Sequence, residues 1–200
     1  MMTMCLWRGI VILFLIFGIS IPVMAGAPTE QIKLATDKII SIVTDVGLKE
    51  PARAEERRKL IRKVVDERFD WEEMARRSLA RHWAQRTDDE KREFVSLFSD
   101  LLEMTYLSKV EGYSGEKVLY EGDAVDGNYG VVKVKIVTSA NTEISVEYRV
   151  MRKKDSWFVY DISIEGVSLV NNYRTQFNSI ILKSSYQNLV KRLKDKLNIN

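Results

Sequence analysis

The sequence predicts an α+β fold: a four-stranded antiparallel curved sheet, wrapped on its apolar face by N- and C-terminal helices. Three observations predict it. Apolar residues recur at helical spacing up to about residue 111. A period of two then holds from Val118 to Ile164, with links too short for parallel crossovers. Helical spacing returns after Gly166 and runs to the end.

Each element has its own signal. Thr29 can cap a first helix that Gly47 ends, with Ile32, Ala35, Ile39, Ile40, Ile42 and Val43 recurring at helical spacing. Pro51 opens a second helix, with Leu60, Ile61, Val64, Val65 and Arg68 near its inner stripe. Asp70 with Glu73, and Thr87 with Glu90, have the spacing of capping boxes for a third and a fourth helix. The fourth, Asp88 to Glu111, is the longest, and its apolar stripe is wider than a coiled-coil seam requires. Strands follow through Val118 and Tyr120, then Val132 to Ile136, Ile144 to Val150, and Phe158 to Ile164. Asp126-Gly127 and Asp155-Ser156 mark turns. Two helices close the chain, Val167 to Lys183 and Tyr186 to Leu197. In this reading Tyr120, Tyr148, Phe158 and Tyr160 share the sheet's inner face, while Asp161 and Glu165 lie on a charged outer face.

The first 25 residues have the layout of a cleaved secretory signal peptide. Arg8 precedes an apolar run from Ile10, and Val23 and Ala25 set up a cut before Gly26. The run is shorter than the roughly 20 residues a spanning helix needs. Residues 26–200 then form a single domain. The only cysteine, Cys5, lies inside the signal, so the mature chain has no thiol or disulfide, as suits a bacterial periplasm. The formal net charge of +3 is too mild to imply nucleic acid. With one histidine, His82, and no cysteine in the mature chain, the sequence offers no metal-ligand set, and no cofactor is expected. An acid–base enzyme would need a carboxylate or histidine on the inner face, which this reading does not supply. Arg76, Arg77, Arg81 and Arg174 have a choice between phosphate and i, i+4 partners such as Glu72 and Glu73; the surface-helix reading is favoured.

Phe94, Phe98, Tyr106, Tyr173 and Phe177 on the helices would face the sheet aromatics. Taken singly they read as core; as a set they can line a cone-shaped gap without filling it. Periodicity does not decide between a filled core and a cavity.

The stretch Phe69-Asp70-Trp71-Glu72-Glu73-Met74-Ala75-Arg76-Arg77-Ser78-Leu79-Ala80-Arg81-His82-Trp83 resembles the MlaC family of periplasmic phospholipid-binding proteins, also described as toluene-tolerance auxiliary proteins. So do the Thr87–Leu107 helix, Tyr113-Ser114-Gly115, and the junction from Tyr160-Asp161-Ile162-Ser163-Ile164-Glu165-Gly166-Val167 to Phe177. The resemblance covers nearly all of the mature chain. Ala80 departs from it, standing where glycine is expected after the leucine, which puts a local turn in doubt. The resemblance implies a scaffold related to the NTF2-like fold and a carrier that holds acyl tails inside. It also implies traffic between an outer-membrane lipoprotein complex and an inner-membrane ABC transporter with an MCE-domain ring. The only other ligand it leaves open is another amphiphile such as a hopanoid; the rival without ligand is a periplasmic interaction module. A monomer is expected. The lipid-contacting candidates on the helices are Phe94, Phe98, Leu101, Leu102, Tyr106, Tyr173, Phe177 and Ile181. On the strands they are Val132, Val134, Ile136, Val146, Tyr148, Val150, Tyr160, Ile162 and Ile164. At the junction they are Val167 and Val170, where a buried junction without lipid is the alternative.

Overall fold

The computed structural model describes residues 27–199, so the N-terminal signal expected over residues 1–25 lies outside the described residues. Helix α1 (Pro28–Thr44) is followed by a 3-10 turn (Pro51–Arg53), α2 (Ala54–Asp66), α3 (Trp71–Leu79), a second 3-10 stretch (Ala80–Gln85) and α4 (Asp88–Glu111). Strands β1 (Lys117–Asp126), β2 (Tyr129–Val137), β3 (Glu143–Lys153), β4 (Ser156–Ile164) and β5 (Val167–Ser168) come next, then α5 (Leu169–Lys183) and α6 (Tyr186–Leu197). The sheet is an antiparallel meander in the order β1-β2-β3-β4-β5.

Local chemistry sets most boundaries. The Thr87–Glu90 box is reciprocal: Glu90 N–H donates to Thr87 Oγ1 (3.2 Å) and Thr87 N–H to Glu90 Oε2 (2.9 Å). At α3 only half the box forms. Asp70 accepts from Glu73 N–H (3.2 Å), but the Glu73 carboxylate is taken by Arg76 and Arg77. Thr29 is not the α1 cap. Pro28 occupies the first helical position, where its fixed φ and missing N–H cost nothing, and Thr29 Oγ1 donates instead to Asp123 on β1 (2.5 Å).

Three features correct the sequence reading. The sheet has five strands, not four, and α5 starts at Leu169 rather than Val167. Glu165 and Gly166 both take positive φ (49° and 76°), a two-residue turn that folds Val167 back to pair with Ile164. Ser168 then caps α5 by accepting from Asn171 N–H (3.0 Å).

The second correction concerns the parity of β4. Arg149 pairs with Asp161 but Val150 with Val159, so Tyr160 is an extra, unpaired residue. Past that irregularity the alternation flips. Trp157 and Val159 join the inner cluster with Val150, Val132 and Ile162, whereas Tyr160 lies outside it, against Tyr129 and under the Arg77 guanidinium. Phe158, which pairs with Met151, is likewise absent from that cluster.

The third is Asp161, which is buried, not on a charged outer face. Helices α3 and α5 pack against β4. Asp161 accepts from Ser168 Oγ (2.6 Å) and Val170 N–H (3.0 Å), so its charge is spent on the N-terminus of α5.

Buried apolar side chains fall into two clusters. One fills the space among α3, α4, α5 and α6, and the other lies on the inner face of the sheet with Ile32 of α1. The aromatics Phe94, Phe98, Tyr173 and Phe177 belong to the first and do not face the sheet. The elements opposite the sheet are α1, α2 and the C-terminal half of α4. Among the described residues no helix is long and apolar enough to cross a membrane.

Candidate functional site: an apolar hollow under the sheet

Sheet and helices do not close on each other. Between them lies a hollow of about 540 Å³. Its roof is Val118, Ile136, Ile144, Val146, Tyr148, Ile162 and Ile164 from four strands. Its floor is the α1 stripe Ile32, Ala35, Ile39, Ile40 and Val43, with Ile61 and Val65 of α2. Phe69, Trp71 and Met74 bound it on one side, and Leu102, Tyr106, Leu107 and Val110 of α4 on the other. Most of the sheet residues that point inward here are only half buried, although they sit in the middle of the protein. Their free surface faces the hollow. Phe94 and Phe98, in the helical cluster, have none. A second depression on the outer side of α2 is lined entirely by charged side chains, and offers nothing to an apolar ligand.

The polar groups of the hollow sit at its edges. The wall between α2 and α4 is closed by ions rather than by apolar contact. Arg62 meets Asp66 (2.8 Å), Asp100 (3.0 Å) and Glu103 (2.6 Å), and donates to Ser99 Oγ (2.9 Å). Burial opposes its charge, but the bonds to Glu103, Asp100 and Asp66 outweigh burial and raise its pKa. Arg57 meets Glu111 (2.8 Å) and donates to the Leu48 carbonyl (2.6 Å). Within the roof, burial and the neighbouring Tyr120 push the Tyr148 phenol up to about 12. Burial, and then Tyr173, also raise Tyr106, over whose ring Lys109 Nζ stands 5.6 Å away.

The structure sorts the candidates drawn from sequence. Leu102, Tyr106, Ile136, Val146, Tyr148, Ile162 and Ile164 line the hollow. Val132, Val134 and Val150 are buried in the sheet's own cluster without reaching it. Phe94, Phe98, Leu101, Val170, Tyr173, Phe177 and Ile181 belong to the helical cluster. Tyr160 is on the other face of β4, and Val167 is 57% exposed on β5. The α1 stripe, Ile61, Val65, Met74, Val118 and Ile144 line the hollow although sequence reasoning did not select them. Their signal was present: the stripe of α1 is rich in isoleucine and has no aromatic partner of its own.

The surface arginines are spoken for. Arg76 and Arg77 both hold Glu73 (2.6 Å each), Arg81 donates to Asn178 (3.0 Å), and Arg174 to Asn171. His82 is buried with its Nε2 3.0 Å from Asn178 Oδ1, away from the hollow. Among the described residues no group of three or more His, Cys, Asp or Glu is placed to hold a metal ion.

Comparison with known proteins agrees with this architecture. A solved phospholipid-binding protein from Ralstonia solanacearum, in complex with a phospholipid, superposes with a TM-score of 0.78 at 24% identity. The match covers 86% of this chain and 97% of that one, and shows a shared fold. The intermembrane phospholipid transport system binding protein MlaC of Haemophilus influenzae is 21% identical over 172 residues, 84% of this chain and 80% of the relative. The model of the MlaC protein family matches residues 33–195, nearly the whole of the described chain, and the protein belongs to that family.

Proposed function

We propose that this protein is a periplasmic phospholipid carrier that holds acyl tails in the hollow and leaves the headgroup at its edge. The observation that carries the reading is the 540 Å³ space roofed by aliphatic strand residues and floored by the isoleucine stripe of α1. A dry apolar cavity of that size is costly to keep unless something fills it. The energetics explain the need. A two-chain lipid carries about 30 methylenes, and at about 0.8 kcal/mol each it resists leaving a bilayer by ~20 kcal/mol. A carrier that offers comparable apolar surface makes the transfer nearly isoenergetic. The chemistry of this reading is binding rather than bond-making: apart from Arg68, the charged groups at the hollow, such as Arg62 with Glu103, are held in ion pairs or hydrogen bonds or packed against rings.

The family relationship, the phospholipid-binding relatives and the layout of residues 1–25 support the remaining parts of the reading. These are a signal peptide over 1–25 and one lipid-binding domain over 26–200. They also include a monomer that exchanges cargo with an outer-membrane lipoprotein complex and an inner-membrane MCE-domain ABC transporter.

The test is solvent extraction of the purified chain followed by mass spectrometry, alongside Ile162→Trp, which puts a large ring into the roof. Near-stoichiometric phospholipid from the unmodified chain, with several-fold less from a folded Ile162→Trp variant, is expected. A hopanoid in its place would redirect the reading to another amphiphile. A clean extract would leave a ligand-free interaction module.

A further inference from the structure

We propose that Arg68 is an oxyanion subsite at one end of the hollow, engaged by the anionic head of an acyl ligand, either a phosphodiester or a carboxylate. The proposal rests on the carrier reading and adds to it a specific polar contact.

Two guanidinium groups line the hollow, and they are in opposite states. Arg62 is saturated by three carboxylates and a serine. Arg68 meets no carboxylate among the described residues. Its Nη1 donates to two neutral acceptors, Gln31 Oε1 (2.6 Å) and the Trp157 carbonyl (2.9 Å). Among the described residues its buried Nε finds no acceptor, and Nη2 makes no hydrogen bond. Its sequence neighbour Glu67 turns away to Lys38 (3.5 Å). The group is therefore held in place through Nη1 and its Nε is enclosed by protein, which leaves Nη2 unused. A guanidinium N–H left unused in this way can donate a charge-assisted bond to a carboxylate or phosphate oxygen.

A partly buried cation beside an apolar hollow is unfavourable without a counter-charge. Burial lowers the Arg68 pKa, with Glu67 offsetting only part of it. A structural strut would account for Nη1 but leaves the rest of the guanidinium idle.

Position adds a direction. Trp157 lies at the β3–β4 turn end of the sheet, whereas Thr138 and Ile144 lie at the β2–β3 turn end. Arg68 is thus at the opposite end of the hollow from Tyr113, Glu116 and Thr138. An anionic head at Arg68 sends the tails along the α1 stripe toward Val43 and Val110.

The test uses the full mature chain, stripped of lipid, and vesicles doped with paired probes of equal chain length. Phosphatidylglycerol is set against diacylglycerol, and oleate against oleyl alcohol. Uptake of the anionic member is expected to exceed that of its neutral counterpart by about tenfold in one pair, which also identifies the oxyanion. Arg68→Gln should bring that ratio close to one by loss of the anionic probe, with neutral uptake within about twofold of the unmodified chain. A ratio that survives in folded Arg68→Gln overturns the subsite and leaves the carrier intact. Uptake of none of the four probes by the unmodified chain overturns the carrier, and the subsite with it. Should Arg68→Gln fail to fold, the Arg68 Nη2–H signals in the unmodified chain decide. Protection from solvent exchange by the anionic probe but not by its neutral partner supports the subsite, and equal behaviour overturns it.

Discussion

The helical half of the protein is closed and the sheet half is open, although both bury apolar side chains. In the closed half the rings of Phe94, Phe98, Tyr173 and Phe177 meet at 5.3–6.0 Å, several edge to face, with Leu189 and Leu193 of α6 packed against them. In the open half β-branched and tyrosine side chains of the sheet face the isoleucines of α1 across a gap. The wall there is fastened by Arg57 and Arg62 rather than by rings. Large flat side chains interlock and exclude volume. Short branched ones on a stiff sheet cannot reach across. The aromatic core thus holds the fold, and the hollow is free to exchange its contents.

The largest expected effect tests this division directly. Phe98→Ala removes a fully buried ring from the closed half and should cost about 3–5 kcal/mol in denaturant unfolding. Ile162→Ala trims a residue already facing empty space, creates little new cavity, and should cost roughly 1 kcal/mol. In lipid retention the order should invert, with Ile162→Ala the more damaging. Equal stability losses would mean the open half is packed as tightly as the closed one.

A smaller effect appears at high pH. The Tyr148 phenol is pushed up to about 12 by burial, then by Tyr120, while an unfolded tyrosine titrates near 10. The folded state keeps the proton where the unfolded state has released it. This contribution is whole below about pH 10 and is lost as pH rises through about 12. It amounts to about 3 kcal/mol at most. Tyr148→Phe should flatten the alkaline fall in stability by that amount. Tyr186, in the closed half, is pushed up to about 12 mainly by burial, but its hydroxyl also donates to the Glu90 carbonyl (3.1 Å). Tyr186→Phe should therefore flatten the same fall and lower stability at neutral pH as well, which Tyr148→Phe should not. Stability measured from pH 8 to 12 on both variants separates the two environments.

Most of the fold was legible because it is written locally. The Thr87–Glu90 box, the alternation in Val132–Ile136 and Ile144–Val150, and the lengths of the last two helices are properties of neighbouring residues. What escaped depends on distant partners. The extra residue at Tyr160 reverses the faces of β4, and nothing in Trp157–Ile164 announces it, since both parities carry apolar side chains. Asp161 reads as a surface charge until the N-terminus of α5 is seen above it. For the site, Tyr106, Tyr148 and Ile162 do line the hollow, whereas Phe94, Phe98, Tyr173 and Phe177 close on one another as core, and Ile39, Ile40 and Ile144 escaped selection. Arg68 stood near the inner stripe in the sequence and falls in the turn just past α2, but its lack of a carboxylate partner emerges only in three dimensions.

The smallest expected effect lies in the closed half, at the end of α3. Ala80 caps that helix with φ 47° and ψ −121°, a conformation that side chains with a Cβ resist and glycine does not. Sequence resemblance had called for glycine at this position. The left-handed backbone costs an L-residue about 1–2 kcal/mol, and glycine returns part of that gain because its unfolded chain is freer by about 0.5–1 kcal/mol. Ala80→Gly should therefore raise stability by about 0.5 kcal/mol, read as a higher denaturant midpoint with an unchanged slope. Because Ala80 follows the packed Leu79 and does not border the hollow, lipid retention should not move. A change in retention with this substitution would mean that the turn after α3 communicates with the open half, and that the two halves are less independent than their packing implies.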